Sequence, residues 1–176
     1  MPTLVILPDI AAIHRAPRTT ADKWRAKGWL GEAAAHASDT DIWVYEAARE
    51  TLAAHLAHPA SPRGRIPTPR EPDAAFLAET RTRATVEPGV IVAGIAEIAY
   101  CLWADRKHFQ DSVRGRAARG RTMPAPIAIL GPPVKPDGAA ARQVTVWDLR
   151  AFVVWPEFDK RPAGRGAEVA ERNRVC

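Results

Sequence analysis

IAEIAYCLWADRKHFQDSVRGRAARGR, residues 95–121, is the stretch on which the reading of the fold turns. Its first half places Ile95, Ala96, Ile98, Ala99 and Leu102 at helical spacing, an apolar stripe that needs a partner surface. The pattern breaks at Ala104-Asp105, and a second helix-patterned half follows. Residues 104–121 hold six Lys/Arg (Arg106, Lys107, Arg114, Arg116, Arg119 and Arg121) against two Asp, so formal charge concentrates there. Two short helices, the second basic and preceded by a tight turn, form the arrangement that sets side chains into a DNA major groove. Any basic amphipathic helix pair gives the same pattern, so the surrounding sequence has to carry the rest.

Working outward, the C-terminal side reads as an extended bend at Pro124-Ala125-Pro126, a strand at Ile127-Ala128-Ile129-Leu130 and a Pro/Gly/Ala-rich loop to Arg142. A return strand, Val144-Thr145-Val146-Trp147, comes next, and Asp148 caps a helix containing Leu149, Ala151, Phe152 and Val153. The N-terminal part of the chain repeats that order in weaker form. Leu4 to Leu7 begin as an apolar run and pass into a helix through Pro8 and Asp9, residue types suited to a first helical turn. The segment His14-Arg15-Ala16-Pro17 breaks it. Residues 18–29 predict a second helix with Thr19 or Thr20 as N-cap and Gly28 at its end. Between residues 14 and 27 there are five Lys/Arg and one Asp. Residues 32–45 predict a hairpin closing on Ile42-Trp43-Val44-Tyr45, and residues 46–57 a helix with Ala47, Leu52 and Leu56 on one face.

Asp9-Ile10-Ala11 matches Glu97-Ile98-Ala99 at an offset of 88 residues, and the Trp43 strand matches the Trp147 strand. The chain therefore contains an internal duplication, with a longer hairpin loop in the second copy. The predicted fold class is α+β, mainly α: two modules, each of two or three helices and a two-stranded wing, over residues 1–57 and 90–156. Residues 58–73 hold five prolines, and residues 58–89 predict a linker with a short helix anchored by Phe76 and Leu77. Residues 157–176 read as a polar, frayed tail.

Composition limits the function. A chain of 176 residues with 47% apolar residues folds, and a net charge of +5 favours an anionic partner. Two cysteines are too few for a disulfide framework or a zinc cage, and the five histidines show no metal spacing. No phosphate loop, nucleophile motif or acid pair stands out, so neither an enzyme nor a cofactor is expected. No membrane span and no signal peptide are legible, which gives the expectation of a cytoplasmic, nucleoid-associated protein without a small-molecule ligand.

The order Asp/Glu-Ile-Ala helix, turn, basic helix, Pro-Ala-Pro, strand, loop, Trp-bearing strand and helix resembles the small winged helix-turn-helix domains of phage excisionases. It is also similar to the DNA-binding heads of mercury-resistance-type regulators. The resemblance covers residues 7–56 in degraded form and residues 94–153 more fully. It implies that the second helix of each module enters the major groove, that the wing follows the backbone, and that the Trp pins the hairpin to the helices. The turns depart from the pattern, with His14-Arg15-Ala16-Pro17 and Leu102-Trp103-Ala104-Asp105 in place of small residues. The first wing also carries Asp39 and Asp41, which repel phosphate.

The residues expected to contact double-stranded DNA are Arg18, Thr19, Thr20, Lys23, Arg25 and Lys27 in the first module. In the second they are Arg106, Lys107, Gln110, Arg114, Arg116 and Arg119, with Lys135 and Arg142 from its long wing. An integrase or a second copy of the chain are the further partners expected of an excisionase. The rival reading is a non-enzymatic adaptor whose basic helices bind an acidic protein. Trp24, Trp43, Trp103 and Trp147 are expected in the core rather than stacked on bases.

Overall fold

A computed structural model describes residues 1–57, 71–102, 124–133, 142–153 and 165–175. The first part of the chain runs β1 (Leu4–Val5), α1 (Leu7–Ile13), α2 (Arg18–Ala26), β2 (Ala35–Ala37), β3 (Thr40–Val44), α3 (Tyr45–Ala57) and α4 (Ala74–Ala84). The second part runs β4 (Val92–Ala93), α5 (Ile95–Leu102), β5 (Ala128–Leu130), β6 (Val144–Asp148), α6 (Arg150–Val153) and α7 (Arg165–Asn173). The class is α+β, with two three-stranded antiparallel sheets among the described residues, ordered β1-β3-β2 and β4-β6-β5. No helix among those residues is long and apolar enough to cross a membrane.

The two parts correspond bond for bond. Leu4 and Val5 pair with Val44 and Trp43, as Val92 and Ala93 pair with Asp148 and Trp147. The hairpins align Ala35 with Ile42 and Ala128 with Val146. The indole N–H of Trp43 donates to the Gly31 carbonyl at 3.3 Å, and that of Trp147 to the Pro124 carbonyl at 3.0 Å. The Tyr45 amide donates to Thr3 and the Leu149 amide to Ile91, so each third strand passes into its helix in the same way. A further helix closes each unit: Thr85 after α4 bridges to Thr3, and Arg174 after α7 bridges to Ile91. Val86 then donates to the Pro2 carbonyl, and Val175 to that of Val90.

The correspondence moves two boundaries expected from the sequence. The helix at residues 74–84 is the closing element of the first unit, packed on α1 with Phe76 and Leu77 against that unit's core, and the Pro-rich residues 58–70 before it lie outside the described residues. The crossing from one unit to the next is the short turn at residues 87–89, held between buried Val86 and Val90. The segment read as a frayed tail instead holds α7, whose Val169 and Asn173 are buried, followed by buried Val175. The helix was obscured because only one side of it is apolar and the charges on the rest dominate its composition. One smaller expectation also fails: α2 begins at Arg18 with Pro17 at the N-cap, so Thr19 and Thr20 lie in its first turn.

Strand alternation explains the layering. Ile42 and Val146 face a central cluster shared by both units, while Trp43 and Trp147 face the helices of their own unit. Both sheet faces are thus covered, one by helices and one by the other sheet, with the side chains alternating at the strand period of two. Burying one such aliphatic side chain contributes about 1.5–3 kcal/mol. The central cluster draws Leu4, Ile6, Ile42 and Val86 from one unit and Val92, Leu130, Val146 and Val175 from the other. The two units therefore form one body rather than beads on a linker.

Candidate nucleic-acid interface

Helix α2 packs on α1 through Ala21 and Trp24, both buried, which turns the opposite side of the helix outward. Arg18, Thr19, Asp22, Lys23, Arg25, Ala26 and Lys27 are exposed, and Thr20 is half-buried. Helical spacing brings Arg18, Thr19, Asp22, Lys23 and Ala26 onto one outward face. Two of the predicted cations are engaged by carboxylates. The Arg18 Nε lies 3.2 Å from Asp22 one turn along, and the Arg25 Nη2 lies 2.7 Å from Asp41 on the hairpin. The His36 Nδ1 also lies 3.0 Å from Asp41. Lys27 sits with its ammonium 4.6 Å from the centre of the Trp29 ring, and that ring stacks on His55. Lys23 makes no ion pair with the described residues. Exposed pairs of this kind are weak, so each cation remains open to exchange for a phosphate.

A cleft of 230 Å³ runs beside α2. Arg18 and Arg25 line it together with Asp39, Thr40 and Asp41 of the β2–β3 hairpin and Leu7 and Pro8 of α1. Arg142 and Val144, at the start of β6 in the other unit, complete it. Arg142, expected on a wing of the second module, thus stands next to the second helix of the first. The site is composite, with three arginines facing two aspartates. Arg106, Lys107, Gln110, Arg114, Arg116, Arg119 and Lys135 lie outside the described residues, as does Trp103. Of the remaining tryptophans expected in the core, Trp24 and Trp43 are buried and Trp147 is half-buried.

What positions the cleft was not among the predicted site residues. Asp9, fully buried, accepts the Ile6 amide at 3.1 Å at the start of its own helix. It also accepts the Gly131 amide of the other unit at 2.9 Å, and its second oxygen meets the Arg83 Nη2 of α4 at 2.5 Å. Glu97 does the same from α5: it accepts the Gly94 amide at 3.1 Å and the Ser38 amide of the first unit at 3.0 Å, with the Arg172 Nη2 of α7 at 3.9 Å. Ser38 and Gly131 occupy equivalent places after β2 and β5, and both have left-handed backbones, at φ of 56° and 94°. That conformation aims the amide away from its own hairpin and toward the other unit's helix.

The outer strands are covered by the same exchange. Arg83 donates to the Ile129 carbonyl on β5 at 2.7 Å. The Asn173 carboxamide accepts the His36 amide on β2 at 3.2 Å and donates to the His36 and Val92 carbonyls at 2.7 and 2.8 Å. Edge strands with unpaired backbone groups invite aggregation, and each closing helix satisfies the edge of the opposite unit. A signal for these residues exists in the sequence. Ala78-Glu79, Arg83 and Val86 recur as Ala167-Glu168, Arg172 and Val175.

No known family profile, curated protein or solved structure matches this chain.

Two carboxylates near the scaffold ends are held below the ordinary range. Asp73 caps α4, and the Phe76 amide and the Arg15 guanidinium, at 2.9 Å, stabilise its charged form. Burial pushes the Asp148 carboxyl up, but hydrogen bonds from the Arg150 side chain and amide and from the Ile91 amide outweigh it and leave it lowered. Both fix helix starts rather than contributing to the cleft. Arg15, with φ of 48°, occupies the left-handed place in the α1–α2 turn, and its side chain ties that turn to the start of α4.

Proposed function

We propose that the chain is a non-enzymatic, double-stranded DNA-binding protein built from two winged helix-turn-helix modules, each using its second helix for the major groove. The observation that carries this reading is the outward face of α2. Arg18, Thr19 and Lys23 project from the first turns of a short helix held at its back by Trp24, beside a hairpin and two further arginines, Arg25 and Arg142. Guanidinium and ammonium groups neutralise phosphates, hydroxyls donate to phosphate oxygens, and arginine grips guanine with two parallel bonds. The duplicated frame supports a second such face over residues 104–121, where six Lys/Arg outnumber two Asp. The aspartates at 22, 39 and 41 make the first face the weaker of the two.

The role that suits such a protein is an excisionase or a small transcriptional regulator. An excisionase would bind an attachment site and touch an integrase, whereas a regulator would occupy a promoter. The test is a mobility shift of the full chain against a random pool of duplexes at low salt, followed by a salt titration. A steep fall in affinity with added salt is the expected result. Failure to shift any duplex, together with capture of poly-glutamate at the same salt, would replace the DNA reading with that of an adaptor for acidic proteins.

A further inference from the structure

We infer that the backbone phosphate beside α2 is gripped in trans, by Arg142 of the second unit, in place of the first unit's own hairpin; this rests on the DNA reading above and names a residue of that site. The hairpin that belongs to α2 is unsuited to the task. Its turn carries exposed Asp39, and Asp41 follows on β3, with both carboxylates lining the cleft. Negative charge there repels a phosphate, and Asp41 also takes up the Arg25 guanidinium at 2.7 Å. The second unit offers the opposite charge in the same place. Arg142 is exposed and lines the cleft with Arg18 and Arg25. Arg18 is paired with Asp22 and Arg25 with Asp41, whereas the Arg142 side chain makes no hydrogen bond or ion pair among the described residues. It is the arginine of the cleft that meets a phosphate without first giving up a carboxylate.

The backbone that carries Arg142 is fastened to the helix on which α2 packs. The Gln143 carboxamide donates to the Gly131 carbonyl at 3.2 Å, and the Gly131 amide donates to buried Asp9 of α1 at 2.9 Å. A Cβ on Gly131 would stand 3.0 Å from the Arg142 carbonyl oxygen and 3.3 Å from Ile6, so this crossing is closely packed. The strands then set the residue's place. Ala37 pairs with Thr40 at the start of β3, as Leu130 pairs with Val144 at the start of β6. The two residues before β3 are Ser38-Asp39, and the two before β6 are Arg142-Gln143. Equivalent positions therefore carry an acid in the hairpin of the first unit and a cation in the strand that the second unit brings to the same cleft. An arginine held at its backbone while its guanidinium stays in solvent suits a contact that fixes a duplex against α2 without reading its bases.

The experiment uses the full chain and the best duplex recovered from the random pool, with Arg142→Ala and Arg142→Lys compared against the parent. Arg142→Ala should keep the parent's Tm and lose about tenfold in affinity, the size of one charge-assisted hydrogen bond at an exposed site. The loss should be equal on the best duplex and on mismatched ones, and the slope of log affinity against log salt should flatten by about 0.9, one phosphate's share. Arg142→Lys should restore that slope. Ethylation interference then locates the contact. The phosphate whose modification ceases to matter in Arg142→Ala should lie within about 5 bp, half a helical turn, of the positions affected by Arg18→Ala and Lys23→Ala. Unchanged affinity and slope in Arg142→Ala, or a lost phosphate farther away, overturns the inference and leaves DNA binding intact. A lowered Tm in Arg142→Ala with no recovery of slope in Arg142→Lys also overturns it, by assigning the residue to the scaffold. Failure of the parent to bind any duplex overturns the DNA reading and the inference with it.

Discussion

Replacing Asp9 with alanine should cost more than any other single polar substitution in the scaffold. The carboxylate is fully buried and meets three donors: the Ile6 amide, the Gly131 amide and the Arg83 guanidinium, whose side chain is only 15% exposed. Each hydrogen bond to a charged acceptor contributes about 1.5–3 kcal/mol, and removing one partner of a buried ion pair costs about 3–5 kcal/mol because the other charge is left uncompensated. Arg83 keeps its bond to the Ile129 carbonyl, which limits the loss, so the expected cost is about 4 kcal/mol. For a chain of this size that lowers Tm by about 8–16 °C. Glu97→Ala is the internal control. Its ion pair with Arg172 is longer, at 3.9 Å, and the arginine side chain is 52% exposed, so solvent screens it. About 2 kcal/mol is expected there, mostly from the orphaned Ser38 and Gly94 amides. Urea unfolding followed by circular dichroism, with calorimetry alongside, measures both. The shared central cluster requires a single cooperative transition in the parent protein. A cost below about 1 kcal/mol for Asp9→Ala, a larger cost for Glu97→Ala, or two separate transitions in the parent would refute a scaffold held by the bonds of Asp9 and Glu97 between the units.

The left-handed positions after β2 and β5 give opposite expectations. Ser38→Gly should stabilise by about 0.5–1 kcal/mol, since a side chain at φ of 56° carries strain that glycine relieves. Gly131→Ala should destabilise by at least about 1 kcal/mol, because its Cβ would meet the Arg142 carbonyl oxygen at 3.0 Å and Ile6 at 3.3 Å; thermal melts decide both. The lowered Asp73 carboxyl contributes stability above the ordinary carboxylate pKa, and that contribution is lost as pH falls through its lower folded value. Acid titration of the parent and of Asp73→Ala should therefore show a constant difference from neutral pH down to the ordinary carboxylate range near pH 4 and a shrinking one below it, and parallel curves throughout would contradict the assignment. Lys23→Glu should weaken DNA binding and flatten its salt slope while leaving Tm unchanged, because Lys23 is exposed on the outer face of α2. Charge reversal at Arg114 and Arg116 together should abolish binding, and unchanged affinity would move the interface elsewhere.

Local order was legible in the residues. The α1 and α5 stripes, the Trp43 and Trp147 strands, the Asp148 cap before α6 and the duplication of Asp9-Ile10-Ala11 in Glu97-Ile98-Ala99 all follow from periodicity and capping chemistry, which act over a few residues. Within the candidate site, the exposed face of α2 was legible for the same reason. Its pairing with Asp22 and Asp41 was not, nor was the arrival of Arg142 from the other unit.

What only the tertiary structure decided is where each unit ends and how the two meet. Periodicity reports that a face is buried without saying what buries it, so nothing in the pattern of β3 shows that its Ile42 side meets the other sheet. Proline marks a break in regular structure but does not identify it as a domain boundary. The Pro-rich stretch therefore points away from the junction at residues 87–89, and α4 and α7 carry the composition of a linker and a tail. Asp9 and Glu97 had a sufficient local explanation as acidic residues in a first helical turn. Their second bonds, to Gly131 and Ser38, span 122 and 59 residues, a separation at which no short-range pattern carries information. The sequence by itself determined two copies of a helix–hairpin unit; their reciprocal bonding was decided by which buried donors each carboxylate could reach once the chain had closed on itself.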